Sequence, residues 1–537
     1  MQNQLRTSFV FWGLKAKGAQ PASRCFQNGL SSCGCVRGLS FNKSLQCRDA
    51  AHHRNASTTV QEMESMDLNP EPIRSVPKPF SSMPSPKGLP YLGSALEIAK
   101  NVGKLHHFHL QRVKDYGPVW REKAGAMDFV HVACAEGVED IIRCEGATPF
   151  RMPIVPHTEY YKVNSRPEGI LVSNGQQWRR MRSALEKPIL KPSLLSNHVS
   201  TMHTVSSDFV RRLDALRNDH GDITDILSEL FKWSLEAASV VLYNRRLGCI
   251  SLEPLPGIED FIQAATVLNT LMGESLIYPL FVLKTYKRKL WTSFQEAFDK
   301  VVAIAEKEID KIPDDPKAHS LVSHIMSHGN LTSSEMYTNV TEIMLASGDT
   351  TSTWAHHTLW ELCHRPLIQD KVYQEIKTVV GEVEEVSHST LGRLKYTTGF
   401  LKEILRLHPP VFMTGRELEN GGVICGYQVP PGTTTAVPLY AIGRDPNIYK
   451  DPMEIKPERW MRTARDREVT NTFAFVPFGW GQRSCIGRRI ATANMQLLLI
   501  ELLRRFRLTS VTKELTLETR LTLTPNPPMQ LTLTPRE

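Results

Sequence analysis

A glycine-rich run near the C-terminus places one cysteine where its chemistry would be altered. The run Phe478–Gly487 contains Cys485 and three glycines, and an apolar helical pattern begins directly after it. Unpaired backbone N–H groups and the positive end of a helix dipole favour a thiolate over a thiol at such a position. Glycine also lets a flat ligand approach the main chain closely. A single thiolate held in this way suits an axial ligand of haem iron.

A second stretch combines an acid and hydroxyl groups inside a long helical pattern. The pattern runs from Thr332, which forms a capping box with Glu335, to Arg365. Its middle, Ala346–Thr353, contains no large apolar residue and many poor helix formers. A run of poor helix formers inside a long buried helix indicates a functional site. An acid beside a hydroxyl at such a site can relay protons. The alternative is a loop between two ordinary helices.

Asp349 and Thr350 are the acid and the hydroxyl of that stretch. Two other pairs of residues are spaced so that they share one face of a helix. Glu403 and Arg406 lie three residues apart in a helical pattern, which allows them to form an ion pair. Trp178 and Arg182 lie four residues apart, so an indole N–H and a guanidinium share one helical face that suits a carboxylate. Either pair by itself would more often be an ordinary surface feature.

The elements that must position these residues follow from helical periodicity. The fold class is predicted to be mainly α with small β-sheets. Helices are predicted at 95–115, 175–190, 200–218, 222–243, 258–273, 290–312, 333–363, 367–381 and 487–506. Strands are predicted at 129–132, 422–429 and 515–533. His106, His107 and His109 are interpreted as a helical surface patch rather than a metal site.

Charge and proline content divide the 537-residue chain. Residues 1–60 contain eight Lys or Arg and one Asp, so most of the net charge of +8 lies there. The nearly neutral body argues against nucleic acid as a partner. An Arg- and Ser-rich, acid-poor start is typical of a mitochondrial transit peptide, predicted at 1–57; a disordered basic tail is the alternative. A proline-rich linker is expected at 58–93, and a catalytic domain at 94–537.

The pattern Phe-x-x-Gly-x-Arg-x-Cys-x-Gly is complete at 478–487 and resembles the haem-binding loop of the cytochrome P-450 family. The resemblance covers residues 80–537 and implies the cytochrome P-450 fold, with the long central helix crossing over haem b. It implies that Cys485 is the axial iron ligand and that Asp349 and Thr350 deliver protons for O–O cleavage. Glu403, Arg406 and Arg459 would form a structural triad. The residues implied to contact haem are Trp178, Arg182, Arg416, Phe478, Arg483, Cys485 and Gly487.

The subclass resembles the mitochondrial members, which take electrons from an acidic ferredoxin reduced by its reductase and NADPH. Lys402, Arg488 and Arg489 are the expected docking residues. Two departures from the family pattern are Ser347-Gly348 before the acid and Thr398 where a second docking lysine is usual.

The expected function is a monooxygenase that inserts one atom of O2 into a lipophilic steroid, sterol or secosteroid. The expected state is a monomer on the matrix face of the inner mitochondrial membrane. The apolar run 277–283 is predicted to enter that membrane, a buried loop being the alternative. Two rival functions are an isomerase or lyase of the same family, which needs no external electrons, and a haem-based binding or sensor protein without turnover.

Overall fold

Helices dominate the architecture and small sheets flank them. The computed structural model describes residues 76–125, 127–253, 257–275, 278–312, 320–328, 330–381, 386–461 and 471–536. The predicted transit peptide and most of the predicted linker lie outside these residues. The mainly α fold class is confirmed.

The bounds of the elements are as follows. The helices are α1 Ala95–Lys100, α2 Leu105–Tyr116, α3 Ala135–Cys144, α4 Val155–Val163, α5 Gly175–Leu190, α6 Pro192–Leu216, α7 Ile226–Tyr243, α8 Ile258–Ser275, α9 Leu280–Thr285, α10 Arg288–Ile309, α11 Leu321–His328, α12 Ser333–His364, α13 Pro366–Val380, α14 His388–Arg393, α15 Lys395–Leu407, α16 Leu439–Ile442 and α17 Arg488–Arg505. The strands are β1 Val119–Ala124, β2 Met127–Val132, β3 Asp222–Ile223, β4 Thr414–Leu418, β5 Gly422–Ile424, β6 Tyr427–Val429, β7 Thr433–Val437, β8 Phe506–Thr509, β9 Leu517–Thr519, β10 Leu523–Pro525 and β11 Leu531–Pro535.

The largest sheet of the described residues has the strand order β1-β2-β7-β4. β2 and β7 are parallel, whereas β1 and β4 are antiparallel to their neighbours. A second sheet has the order β3-β11-β8, and β5-β6 and β9-β10 are two-stranded ladders. β4 carries Arg416 opposite Thr435 of β7, so the large sheet fixes the backbone of one predicted haem contact.

α12 is one continuous helix, so the alternative of a loop between two helices is wrong. Its capping box is complete: Glu335 N–H donates to the Thr332 hydroxyl, and the Glu335 carboxylate accepts from Thr332 N–H. Gly348 lets α7 approach closely, because a Cβ there would lie 2.9 Å from a ring carbon of Phe231. The Ser234 hydroxyl of α7 also donates to the Ser347 carbonyl at 2.7 Å. The departure at Ser347-Gly348 therefore lies where the two helices touch.

Three expectations need correction. The predicted helix 95–115 is broken by a 3-10 turn at Val102–Lys104, between α1 and α2. His106 and His109 are buried, not part of a surface patch, and burial lowers the pKa of His106 to about 3 and that of His109 to about 4. The predicted helix 222–243 is wrong at its start, because residues 222–223 form strand β3 and helix α7 begins at Ile226.

The described end of the proline-rich segment packs against the body. Lys78 N–H donates to the Gly426 carbonyl, and Gln428 N–H donates to the Lys78 carbonyl. Met83 is buried in the same hydrophobic cluster as residues of the large sheet. Among the residues that the structure describes, no helix has both the length and the apolar character needed to cross a bilayer.

Candidate haem site

Backbone hydrogen bonds hold the cysteine loop in a tight turn ahead of α17. Gly479 has φ = 69° and Gly481 has φ = 57°, a left-handed conformation that favours glycine. Cys485 N–H donates to the Phe478 carbonyl at 2.8 Å, which closes the loop. Gly487 is the N-cap of α17 with φ = −85°, so it is not needed for a left-handed turn, and its N–H donates to the Cys485 thiol.

Cys485 faces an internal space. The residue lies deep within the protein, yet it is exposed. Burial raises the pKa of the Cys485 thiol, and the Gly487 N–H, Arg182, Arg151 and Arg488 act against that effect without cancelling it. The Gly487 N–H therefore acts in the direction that the sequence predicts, and burial of the thiol opposes it. A coordinated metal cation would supply the remaining stabilisation of the thiolate.

The middle of α12 lies beside the cysteine loop. Ala346 is exposed, although most residues along this helix are buried or half-buried. On one side of it, Trp354 contacts Phe478 of the cysteine loop with the ring centroids 6.0 Å apart. On the other side, Leu345 shares a hydrophobic cluster with Ile486. The exposed Ala346 therefore lies in the part of α12 that neighbours the cysteine loop.

Asp349 and Thr350 lie in the same part of α12. The Thr350 hydroxyl donates to the Ala346 carbonyl at 2.7 Å, a back-bond to the preceding turn. Burial raises the pKa of Asp349, while a hydrogen bond from Thr522 and the charge of Arg520 oppose this shift. The residues Arg520 and Thr522 follow β9, so a turn of the C-terminal hairpin packs against the acid.

Four arginines surround the space around Cys485 and interact with one another. They are Arg151, Arg182, Arg416 and Arg483. Burial and the neighbouring arginines lower the pKa of Arg151 to about 10 and that of Arg483 to about 9. Sequence reasoning missed Arg151, which belongs to none of the recognised motifs.

Only part of this positive charge is balanced by carboxylates of the described residues. Arg416 Nε donates to Glu145 Oε2 at 3.0 Å, and Arg182 Nε donates to Glu186 Oε2 at 3.3 Å. Among the described residues, Arg151 and Arg483 have no carboxylate as a hydrogen-bond partner. A ligand with two carboxylates would complete the balance, and its charge would favour the protonated guanidinium groups. The charge of the cluster therefore fits haem, whose edge carries two propionates.

Trp178 and Arg483, two of the other predicted haem contacts, pack against each other. The Trp178 ring lies 4.0 Å below the Arg483 guanidinium. Arg483 donates to the carbonyls of Pro149 and Ser173 and to the Asn174 side chain, so its N–H groups hold neighbouring loops. Arg483 is thus a positioning residue in this structure as well as a source of positive charge.

The loop that links α4 to α5 is held between α12 and the cysteine loop. Glu342 of α12 accepts from Leu171 N–H at 2.8 Å, and Asn339, one turn earlier, accepts from Ile170 N–H at 2.8 Å. On the other side the Ile170 and Ser173 carbonyls accept from Arg483. Sequence reasoning also missed Glu342 and Asn339, because their partners are more than 160 residues away in the chain.

The structure brings the predicted charged triad together. Arg406 donates from Nε and Nη2 to the two carboxylate oxygens of Glu403 at 2.9 and 2.7 Å, and both side chains are fully buried. Arg459 Nε lies 3.4 Å from Glu403 Oε2. Trp460 Nε1 donates to Glu403 Oε1 and its ring packs on Phe475, which precedes the cysteine loop.

The predicted docking residues lie at or near the surface. Arg488 and Arg489 are exposed at the start of α17, and Arg489 donates to the Leu190 carbonyl at the end of α5. The Lys402 ammonium lies 5.3 Å from the centre of the Trp460 ring. Thr398, which replaces the usual lysine, accepts a hydrogen bond from Gln496 of α17.

A family model described as Cytochrome P450 matches residues 83–533, which include the cysteine loop, the arginines and α12. The chain belongs to the cytochrome P450 family. It is 31% identical to Cytochrome P450 10 of Lymnaea stagnalis, over 86% of each chain. It is also 31% identical to the mitochondrial 1,25-dihydroxyvitamin D(3) 24-hydroxylase of Rattus norvegicus, over 81% of this chain and 85% of the relative. The same identity relates it to the mitochondrial cholesterol side-chain cleavage enzyme of Oncorhynchus mykiss, over 90% and 95%.

Family membership confirms several predictions made from the sequence. The chain is a P450 monooxygenase of the mitochondrial type, with haem as cofactor and a cysteine thiolate as its axial ligand. Cys485 is the cysteine in the family's haem-loop pattern.

Proposed function

We propose that this P450 inserts one atom of O2 into a steroid, sterol or secosteroid, with electrons from a mitochondrial ferredoxin. The observation that carries the proposal is Cys485, which lies deep within the protein yet is exposed, in a loop that contacts α12 through Phe478 and Trp354. Bound haem would supply the O2 activation and the redox chemistry. The chain supplies the thiolate, the arginines that match the propionates, and the proton donors.

Asp349 and Thr350 are proposed to move protons to the reacting oxygen. Support comes from the raised pKa of Asp349, which keeps the carboxyl closer to a proton-donating state than an exposed aspartate. The Thr350 hydroxyl already donates to the Ala346 carbonyl, so its oxygen can accept from a water or a reacting group. Thr522 and Thr524, whose hydroxyl oxygens lie 3.1 Å apart, extend a polar path away from Asp349.

Product formation and NADPH consumption test this role and separate it from the rivals. With ferredoxin and its reductase, the wild-type enzyme should consume NADPH and O2 in step with product. In Thr350→Val, and more strongly in Asp349→Asn, product should fall while peroxide rises. An isomerase or lyase would form product without NADPH, and a sensor would bind ligands without turnover. Either result would contradict the proposal.

The substrate class rests on similarity to enzymes whose names specify a vitamin D metabolite and cholesterol. A spectral titration of the purified holoenzyme against steroids, sterols and secosteroids tests it. A substrate should shift the haem from low to high spin by displacing a water ligand. If only unrelated lipophiles produce the shift, the substrate class is wrong and the monooxygenase assignment still stands.

Ferredoxin docking is proposed at Lys402, Arg488 and Arg489. The two arginines are exposed at the start of the helix that leaves the cysteine loop, so the acidic partner would approach the thiolate side of the haem. Arg488→Glu should raise the ferredoxin concentration needed for half-maximal turnover without changing the reduced carbon-monoxide spectrum. Arg393→Glu, exposed at the end of α14, is a charge-matched control.

Attachment to the matrix face of the inner membrane is proposed through α9 and its surroundings. Phe281 and Tyr286 are exposed, whereas Val282 and Leu283 are buried against the body, so the predicted apolar run is only partly available. Ile277 lies outside the described residues. Phe281→Ser with Tyr286→Ser should weaken binding to cardiolipin-containing liposomes. Unchanged binding would favour the buried-loop alternative for this run.

A further inference from the structure

Two cysteines from distant parts of the chain meet on the flank of the large sheet. Cys134 is the N-cap of α3, directly after β2, and Cys425 lies in the two-residue turn between β5 and β6. Their Sγ atoms are 3.6 Å apart although 291 residues separate them. Both side chains are half-buried, and the neighbouring Glu136 and Gly426 are exposed. A small oxidant can therefore reach this pair from solvent.

The backbone at Cys425 is unusual for its residue type. Cys425 has φ = 47° and Gly426 has φ = 79°, the left-handed pair of angles of a tight hairpin turn. Asn, Asp and Gly adopt this conformation more readily than cysteine. Asp140 of α3 accepts from Cys425 N–H at 2.8 Å and fixes the turn against the helix. The turn thus holds Cys425 in a backbone conformation that is unfavourable for cysteine, with its side chain directed toward Cys134.

Gly137, on the first turn of α3, makes room for both sulfur atoms. A Cβ at this position would lie 2.6 Å from the Cys425 sulfur and 3.3 Å from the Cys134 sulfur. The close approach of the two thiols therefore depends on a residue without a side chain, and the hairpin could not sit so near the helix otherwise.

The two thiols differ in acidity. A hydrogen bond from the Cys425 thiol lowers the pKa of Cys134, and the same interaction raises the pKa of Cys425. Among the six cysteines in the described part of the chain, Cys134 alone has a lowered pKa. Burial raises the pKa of Cys249 and Cys363, which makes those two thiols poor nucleophiles.

We propose that Cys134 and Cys425 form a reversible, oxidant-sensitive dithiol that closes to a disulfide with a hydroperoxide such as H2O2. The Cys134 thiolate attacks a peroxide oxygen, the O–O bond breaks, and Cys134 becomes a sulfenic acid; with H2O2 the leaving hydroxide takes the proton that Cys134 lost and departs as the first water. The Cys425 sulfur then attacks the sulfenic sulfur, the S–S bond forms, and the S–O bond breaks to release a second water. Two thiols lose two electrons to one peroxide.

The disulfide would link the start of α3 to the β5-β6 hairpin. α3 ends next to Glu145, whose carboxylate binds Arg416 and accepts from Trp480 Nε1. The cross-link closes a loop of 291 residues and would raise the unfolding temperature by about 4 °C. The oxidised enzyme should therefore keep its arginine cluster, and with it the haem, to a higher temperature.

The test uses the purified holoenzyme treated with H2O2, then alkylated and digested without reductant. A peptide linking Cys134 to Cys425 should appear, and dithiothreitol should remove it. The linked peptide should also form in Cys144→Ser, a control at the other end of α3, and should be absent in Cys134→Ser. In Cys425→Asn, a residue that suits the left-handed turn, Cys134 should instead be trapped as a sulfenic acid by dimedone.

The proposal is overturned if folded wild-type enzyme, identified by its thiolate carbon-monoxide spectrum, yields no linked peptide. It is also overturned if Cys134 is oxidised directly to sulfinic acid, or if it pairs with a different cysteine. A thermal shift on oxidation that persists in Cys425→Asn would refute the stabilising role.

Discussion

Glu342 is expected to make the stability of this P450 depend on pH in the neutral range. Burial raises the pKa of Glu342 from 4.5 to about 7, even though the carboxylate accepts hydrogen bonds from Leu171 N–H and the Tyr161 hydroxyl. A carboxyl with a raised pKa holds its proton more tightly in the folded state. The free energy of unfolding therefore falls as pH rises from about 4.5 to 7 and is constant above that.

The size of this effect follows from the shift. Each pKa unit corresponds to about 1.4 kcal/mol, so the full window is worth about 3 kcal/mol. Glu342→Gln removes the ionisation and keeps an amide oxygen that can accept from Leu171 N–H. The variant should therefore gain about 2.5 kcal/mol relative to the wild type between pH 5 and pH 8, whatever its pH-independent cost.

The assay is urea unfolding of both proteins between pH 5 and pH 8, followed by the Soret band and far-ultraviolet circular dichroism. Glu335→Gln is the control on the same helix, because hydrogen bonding to Arg180 lowers the pKa of Glu335, and its difference from wild type should be constant over this range. If the Glu342→Gln difference is equally constant, Glu342 titrates normally and the argument from burial is refuted.

Three further substitutions test the surroundings of the haem. Arg406→Ala leaves the buried Glu403 carboxylate without its bidentate partner and should lower the free energy of unfolding by about 3 to 5 kcal/mol, measured by urea unfolding; a loss below 1 kcal/mol would show that the charge is solvated. Gly348→Val forces α7 away from α12 and should cost about 1 to 3 kcal/mol, seen as a lower thermal midpoint; an unchanged midpoint would mean that the helices separate freely. Glu145→Gln weakens the hold on Arg416 and should speed haem transfer to apomyoglobin several-fold; an unaltered rate would exclude this role.

Residues in compact motifs were predictable because their chemistry is local. The cysteine loop, the capping box and the Glu403–Arg406 pair each lie within ten residues of sequence, so spacing alone indicates which groups meet. The long central helix followed from periodicity and from the cap at Thr332.

The partners that complete the site were not predictable, because tertiary packing decides them. Arg151 and Glu145 belong to a loop and a helix end with no motif, and they reach the site only through the fold. His106 and His109 are polar residue types, yet α2 directs both side chains into the protein interior. The thiol acidity of Cys485 also depends on burial, which a loop sequence does not reveal.

The middle of the loop between α4 and α5 is hydrogen-bonded to the body through its main chain. Ile170 and Leu171 donate their N–H groups to α12, and the Ile170 and Ser173 carbonyls accept from Arg483. These hydrogen bonds do not depend on which side chains stand at 170 and 171. Such a segment is a natural starting point for directed evolution, because libraries at 170 and 171 would change the side chains while the main-chain hydrogen bonds that hold the loop stay in place.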